Sequence, residues 1–232
     1  MRGSRAVGIA FSCLGIAFGA AWAVVTHEAL SVAPPTLTPS EQRSLLALAR
    51  QALEAAAAGE AEPSVHLADL PKGLRRTAAA FVTLSKGGAL RGCMIDEFSP
   101  HEPLCQNVLR NTVLAATGDP RFPPVSREEV LGIRIEISVL GRVRPLSYAG
   151  PADLLWKLKP GEDGVILATA EGTSTFLPQG WQTFPDPAQF LTELCLKLGV
   201  AADRWTLKPE PAVSVYRVLH FAEPSPPGNA RE

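Results

Sequence analysis

The chain has 232 residues, with 22 Lys and Arg against 23 Asp and Glu and a formal net charge of -1, so no charge excess drives it onto nucleic acid or anionic lipid. Its length allows one domain of moderate size, or two lobes sharing a core, with terminal extensions. The four cysteines (Cys13, Cys93, Cys105, Cys195) include no Cys-x-x-Cys pair and meet no histidine pair at ligand spacing. That excludes a disulfide scaffold and a zinc framework, so neither metal nor cofactor is expected, while one disulfide among Cys93, Cys105 and Cys195 stays open.

Arg2 and Arg5 precede an uncharged run from Ala6 to Val25, about the length that spans a bilayer as a helix. Arginines before the run and none just after it predict a cytosolic N-terminus and export of the rest, with the membrane as a partner. Residues 1–28 read as an uncleaved signal anchor, or as a signal peptide cut at Ala21-Trp22-Ala23. Residues 29–37, with Pro34-Pro35, read as a linker.

The domain is expected over 38–222. Thr38-Pro39-Ser40-Glu41 is a capping box that starts a helix running to Ala58 and stopping at Gly59. Phe81 to Leu84 and Ala89 to Met94 flank Lys86-Gly87-Gly88 and read as a β-hairpin. Ser99-Pro100-His101-Glu102 repeats the capping-box pattern and predicts a helix from Ser99 to Gly118. Ile133, Ile135, Ile137 and Val139 alternate with polar residues in a strand that turns one face to the core. A short helix over Pro151 to Leu158 and a hairpin around Glu171-Gly172 follow. Asp186-Pro187 then caps a helix that ends at Gly199, and a last strand runs from Ala212 to Leu219. The Pro-rich residues 223–232 read as a disordered tail. Hairpins interspersed with helices, without βαβ alternation, argue for an α+β fold of mostly antiparallel sheets with flanking helices. No phosphate-cradling glycine loop, His-Glu-x-x-His or Gly-x-Ser-x-Gly is present.

The hairpin's second strand sets an arginine, a glycine and a cysteine side by side. Residues two apart on a strand face the same way, so Arg91 and Cys93 are expected to share a face, with the guanidinium lowering the thiol pKa. Gly92 allows another backbone or a ligand to come close. Asn111 interrupts an apolar helix face; it either ties down a neighbouring loop or lines a cleft. Asp119 and Arg121, in a proline-stiffened loop, pair with each other or meet the Arg91/Cys93 face. The catalytic candidates are therefore Cys93 as thiol and Arg91 as its thiolate-stabilising cation, with Gly92, Asn111, Asp119 and Arg121 lining the cleft. His101 is the nearest base in sequence.

Leu90-Arg91-Gly92-Cys93 resembles the signature of the AMMECR-type domain, protein A of the AmmeMemoRadiSam set. The likeness runs from about Ser40 to Phe221 and includes Phe81-Val82-Thr83-Leu84, Asn111, Asp119-Pro120-Arg121-Phe122-Pro123, Ile135 to Leu140, Gly164, and Thr175-Phe176-Leu177-Pro178 with Trp181. After the cysteine the chain reads Met94-Ile95 where the family pattern reads Ile-Gly. The resemblance implies a larger and a smaller lobe with a cleft between them, and partnership with a Memo-type and a radical SAM protein. Radical SAM chemistry is cytosolic, so an exported domain is not expected to touch that protein directly. Three readings follow: an accessory or binding module holding a small ligand or protein partner in its cleft, a thiol-dependent enzyme using Cys93 on a small molecule or protein side chain, or a structural relative that has lost the ancestral role.

Overall fold

The computed structural model describes residues 35–224. The signal anchor or signal peptide expected over 1–28, residues 29–34 of the linker and residues 225–232 of the tail lie outside them. Among the described residues no helix is long and apolar enough to cross a membrane.

Helix α1 (Pro39–Ala58) starts as its sequence dictates. The Thr38 hydroxyl accepts from the Glu41 amide at 3.3 Å, the Glu41 carboxylate takes the Thr38 amide at 2.9 Å, and Gly59 ends the helix at φ +70°. Leu37 is already part of the core, so the linker ends before it. A short α2 (Lys72–Arg75) leads into the hairpin of β1 (Ala80–Lys86) and β2 (Ala89–Met94). Its two-residue turn needs two positive φ angles, which Gly87 and Gly88 supply at +59° and +81°.

Helix α3 (Leu104–Thr117) starts five residues later than the capping-box pattern at Ser99 predicts. Glu102 is drawn to side chains instead: its carboxylate takes Arg110 and, at 3.0 Å, the Asn107 amide. The segment before the helix runs alongside Arg76–Ala78, with the Leu104 amide on the Arg76 carbonyl at 2.9 Å. Strand β3 (Ile133–Leu140) follows, then β4 (Arg144–Pro145), α4 (Pro151–Lys157), the hairpin of β5 (Gly164–Thr169) and β6 (Gly172–Phe176), and α5 (Pro187–Leu198).

The last expected strand is two. Strand β7 (Ala212–Tyr216) belongs to one sheet and β8 (Val218–Ala222) to the other, and the chain crosses between them at Arg217. Arg217 is held there by Glu162 and Asp163. The ordered chain also continues past 222. Glu223 accepts from the Ile135 amide at 2.9 Å and pairs with Arg50, so it belongs with the domain rather than with the tail expected from 223.

The result is the α+β fold expected, built of two four-stranded antiparallel sheets in the orders β2-β1-β3-β8 and β4-β7-β5-β6. Each sheet buries one face against helices. Val82, Leu84, Ile135 and Ile137 pack on α1 and α3; Val165, Leu167, Val213 and Val215 pack on α4 and α5. The other faces meet across a small cluster of Phe81, Leu140, Ile166 and Tyr216. Ile95, standing where the family pattern has glycine, packs against this junction. A cleft opens beside it.

Candidate functional site

The cleft, about 430 Å³, lies between the outward face of the first sheet and the β6 edge of the second. Phe81, Leu90, Phe176 and Leu177 give it apolar walls. Its polar groups come from separate elements: Thr83 and Cys93 from the hairpin, Glu136 and Ser138 from β3, His220 from β8, Arg121 from the Asp119 loop and Lys197 from α5.

Cys93 sits partly buried at the cleft wall, its Sγ 3.2 Å from the Thr83 hydroxyl. Arg91 is not beside it. The register runs Leu84 against Gly92 and then Ser85 against Leu90, so Arg91 is the extra residue of a β-bulge. The bulge breaks the two-residue alternation and puts Leu90, not Arg91, on the cleft with Cys93. Arg91 turns away to Glu129, with Nε 3.2 Å from Oε1 and Nη2 2.9 Å from Oε2, and to the Pro124 carbonyl. The Arg91 and Lys86 bonds hold the Glu129 carboxyl down at about 2.

The cations that face Cys93 are Arg121 and Lys197. Asp119 is buried, and its Oδ1 takes the Arg121 amide at 3.1 Å and Nε at 2.9 Å. Its Oδ2 takes Arg121 Nη2 at 2.6 Å and the Cys93 amide at 2.9 Å, capping a donor on the open edge of β2. The Arg121 bonds, with these amides, pull the Asp119 carboxyl down to about 2 against the cost of burial. Asp119 thus positions Arg121, and Arg121 lines the cleft. Lys197 reaches across the β6 edge, donating to the Thr175 carbonyl at 2.8 Å with its Nζ 5.0 Å from the Phe176 ring centre. Desolvation and the neighbouring Arg121 lower its pKa.

The expected direction for the thiol is reversed. Burial pushes the Cys93 pKa up, and it outweighs the Thr83 bond, Arg121 and Lys197, all of which pull it down. The resting group is the neutral thiol. Gly92 faces the helices, where a Cβ would stand 2.2 Å from the Ala115 carbonyl oxygen; the close approach is to backbone. Asn111 is fully buried behind the sheet and does not line the cleft. Its amide donates to the Ala80 carbonyl at 3.1 Å and its oxygen takes the Asp96 amide at 3.0 Å, which ties the loop after β2 to β1. His101 is exposed and pairs with Glu97, outside the cleft. Cys105 and Cys195 are buried free thiols, so the three described cysteines form no disulfide.

Lys197, Glu136, Ser138 and His220 escape sequence reasoning. Lys197 is one basic residue near a helix C-terminus, where lysine is common, and His220 lies beyond the strand break that the alternation hides.

The AMMECR1 family matches residues 46–221, from α1 through β8. A protein of Methanothermobacter thermautotrophicus is 38% identical over 187 residues, covering 78% of this chain and 92% of that one. Protein MK0488 of Methanopyrus kandleri is 34% identical over 208 residues, covering 84% of this chain and 95% of its own. The crystal structure of the uncharacterized protein PH0010 from Pyrococcus horikoshii superposes with a TM-score of 0.73 at 32% identity, over 83% of this chain and 96% of that one. The matched span contains both sheets, the bulged hairpin and every residue of the cleft, and on that extent the chain belongs to the AMMECR1 family.

Proposed function

We propose that this chain is an exported or membrane-anchored binding module whose cleft holds an apolar ligand with an anionic end. The observation that carries the reading is the pairing of apolar walls with two cations, Arg121 and Lys197, beside a thiol that burial keeps protonated. Apolar surface supplies the affinity and a few placed charges fix orientation, which is the usual economy of a small-ligand site. The thiol-enzyme reading draws support from the pull of Arg121 and Lys197 on Cys93, but burial wins at rest.

Anilinonaphthalene sulfonate, an apolar anion, is the probe of choice. Its fluorescence titration should saturate at one site, and Lys197→Met, which keeps the stem and removes the charge, should weaken binding about tenfold, the equivalent of ~1.4 kcal/mol. Equal affinity in the two proteins would leave the cations without a role in binding.

Export is proposed on Arg2 and Arg5 before the apolar run. A reporter fused after Leu37 should be active only in the exported compartment; activity in the cytosol would overturn the localisation. An exported module would act without touching a cytosolic radical SAM protein.

A further inference from the structure

Beyond the cations, the same sheet face carries a second group of reactive side chains. Glu136 and Ser138, two apart on β3, face the cleft, while Ile135, Ile137 and Val139 between and around them face the helices. Ser138 pairs in register with His220 on β8. Its Oγ lies 3.1 Å from His220 Nδ1, and His220 Nε2 lies 3.6 Å from Glu136 Oε2. A hydroxyl, an imidazole and a carboxylate thus follow one another along the sheet face, the first pair at hydrogen-bond distance and the second at ion-pair distance, with the carboxylate also held by Arg134 at 2.9 Å.

We propose that Ser138, His220 and Glu136 form an acyl-transfer centre for esters or thioesters of apolar acids, with Ser138 as nucleophile, His220 as its base and Glu136 as the residue positioning the imidazole. Three observations support the roles. The Glu136 carboxylate, 3.6 Å from Nε2 and so at ion-pair distance, favours the proton on that nitrogen, which leaves Nδ1 to accept the serine proton. Burial lowers the His220 pKa, so the ring is neutral and able to act as a base at pH 7. Gln179 Nε2 donates to Ser138 Oγ at 3.4 Å, so an amide donor stands beside the nucleophile and can turn to a substrate carbonyl oxygen bound there. Phe81, Phe176 and Leu177 offer the acyl group an apolar seat.

In the step, Ser138 Oγ bonds to the carbonyl carbon as its proton passes to His220 Nδ1. The tetrahedral intermediate then collapses with cleavage of the C–O or C–S bond, and the leaving alcohol or thiol takes that proton. Water repeats the sequence on the acyl-serine and releases the acid. The proposal shares the cleft with the anion-binding reading but does not rest on it.

The test is a fluorophosphonate, which bonds phosphorus to an activated serine with loss of fluoride and the hydroxyl proton. The purified full chain should be labelled at Ser138, as mapped by peptide mass spectrometry, and Ser138→Ala should take no label. His220→Gln should slow labelling at least about a hundredfold, whereas His101→Ala, remote and exposed, should not change it. The charged groups around His220 are Glu136 and Arg134 on β3, Arg121 and Lys197 on the shared cleft, and Arg217 and Glu162 across the neighbouring pocket. Glu136 raises the ring's pKa and Arg134 lowers it. Glu136→Gln should therefore move the midpoint of the labelling-rate profile to lower pH, a shift that a merely structural role would not produce. Retained thermal unfolding of each variant separates loss of labelling from loss of fold. Absence of label at Ser138 in the folded wild type, label on another residue, or an unchanged rate in His220→Gln would overturn the proposal.

Discussion

Gly92→Ala should destabilise the domain by about 3 kcal/mol or more, the upper end of what overpacking costs. The added Cβ would stand 2.2 Å from the Ala115 oxygen and 3.1 Å from its carbonyl carbon, both backbone atoms. Rotating a side chain cannot relieve that contact, so α3 must leave the sheet. Its retreat is opposed by polar bonds as well as by the core. Asn107 Oδ1 takes the Ala80 amide at 2.9 Å, and Asn111 Nδ2 reaches the Ala80 carbonyl at 3.1 Å. Both asparagines are buried, so parting the helix from β1 strands their donors and acceptors away from water. For a chain of this size the thermal midpoint should fall by roughly 6–12 °C. A loss below about 1 kcal/mol in denaturant titration would mean that α3 does not press on β2 at this point.

Asp119→Ala is the second large effect, expected at about 2–3 kcal/mol at neutral pH. It removes the carboxylate that satisfies both the Cys93 edge amide and the Arg121 guanidinium. The figure is set below that for a fully buried pair because the Arg121 side chain is 47% exposed. The pH dependence carries a sign. The Asp119 carboxyl lies lower in the folded chain, at about 2, than in the unfolded one, near its ordinary 3.8. Its contribution is therefore fully present above about pH 4 and is lost as pH falls toward 2. Glu129, also held at about 2 by Arg91 and Lys86, adds a second loss in the same direction. Urea titrations across that range should show wild-type stability falling more steeply than that of Asp119→Ala, which lacks the Asp119 component and keeps those of Glu129 and the other lowered carboxyls, Asp96 among them. Parallel curves would mean that Asp119 is not ionised through its bonds to Arg121.

Much of the fold follows from local chemistry. Helix α1 is bracketed by a capping box and a left-handed glycine, and β3 has an alternation whose apolar face can only be core. Asp186 caps α5 through the Gln189 amide at 2.8 Å. Where local reasoning fails, a long-range partner overrides it. Ser99 to Glu102 carry a capping-box pattern, but Arg110 and Asn107 claim the glutamate. Ala212 to Leu219 read as one strand on the alternation of Val213 and Val215, although two acidic residues hold Arg217 where the chain changes sheets.

The site was half legible for the same reason. Cys93 and Arg121 belong to motifs, and both reach the cleft. Arg91 belongs to the same motif and does not, because one extra residue in the bulge reverses the expected face. Gly92, next to the bulged residue, is a sequence mark of a bulge or of a close backbone approach and does not tell the two apart. Lys197 stands more than a hundred residues from Cys93 along the chain, and only the packing of α5 against β6 brings the two to one cavity.

Arg121 and Lys197 line an open cleft with the Cys93 thiol at its wall. The most direct test compares alkylation of Cys93 in the folded protein by iodoacetate and by iodoacetamide, reagents of like size that differ in charge. The rate ratio of anionic to neutral reagent at Cys93 should exceed that at a small free thiol and should fall in Lys197→Met. A ratio equal to that of the free thiol, or a Cys93 that reacts only on unfolding, would contradict the account.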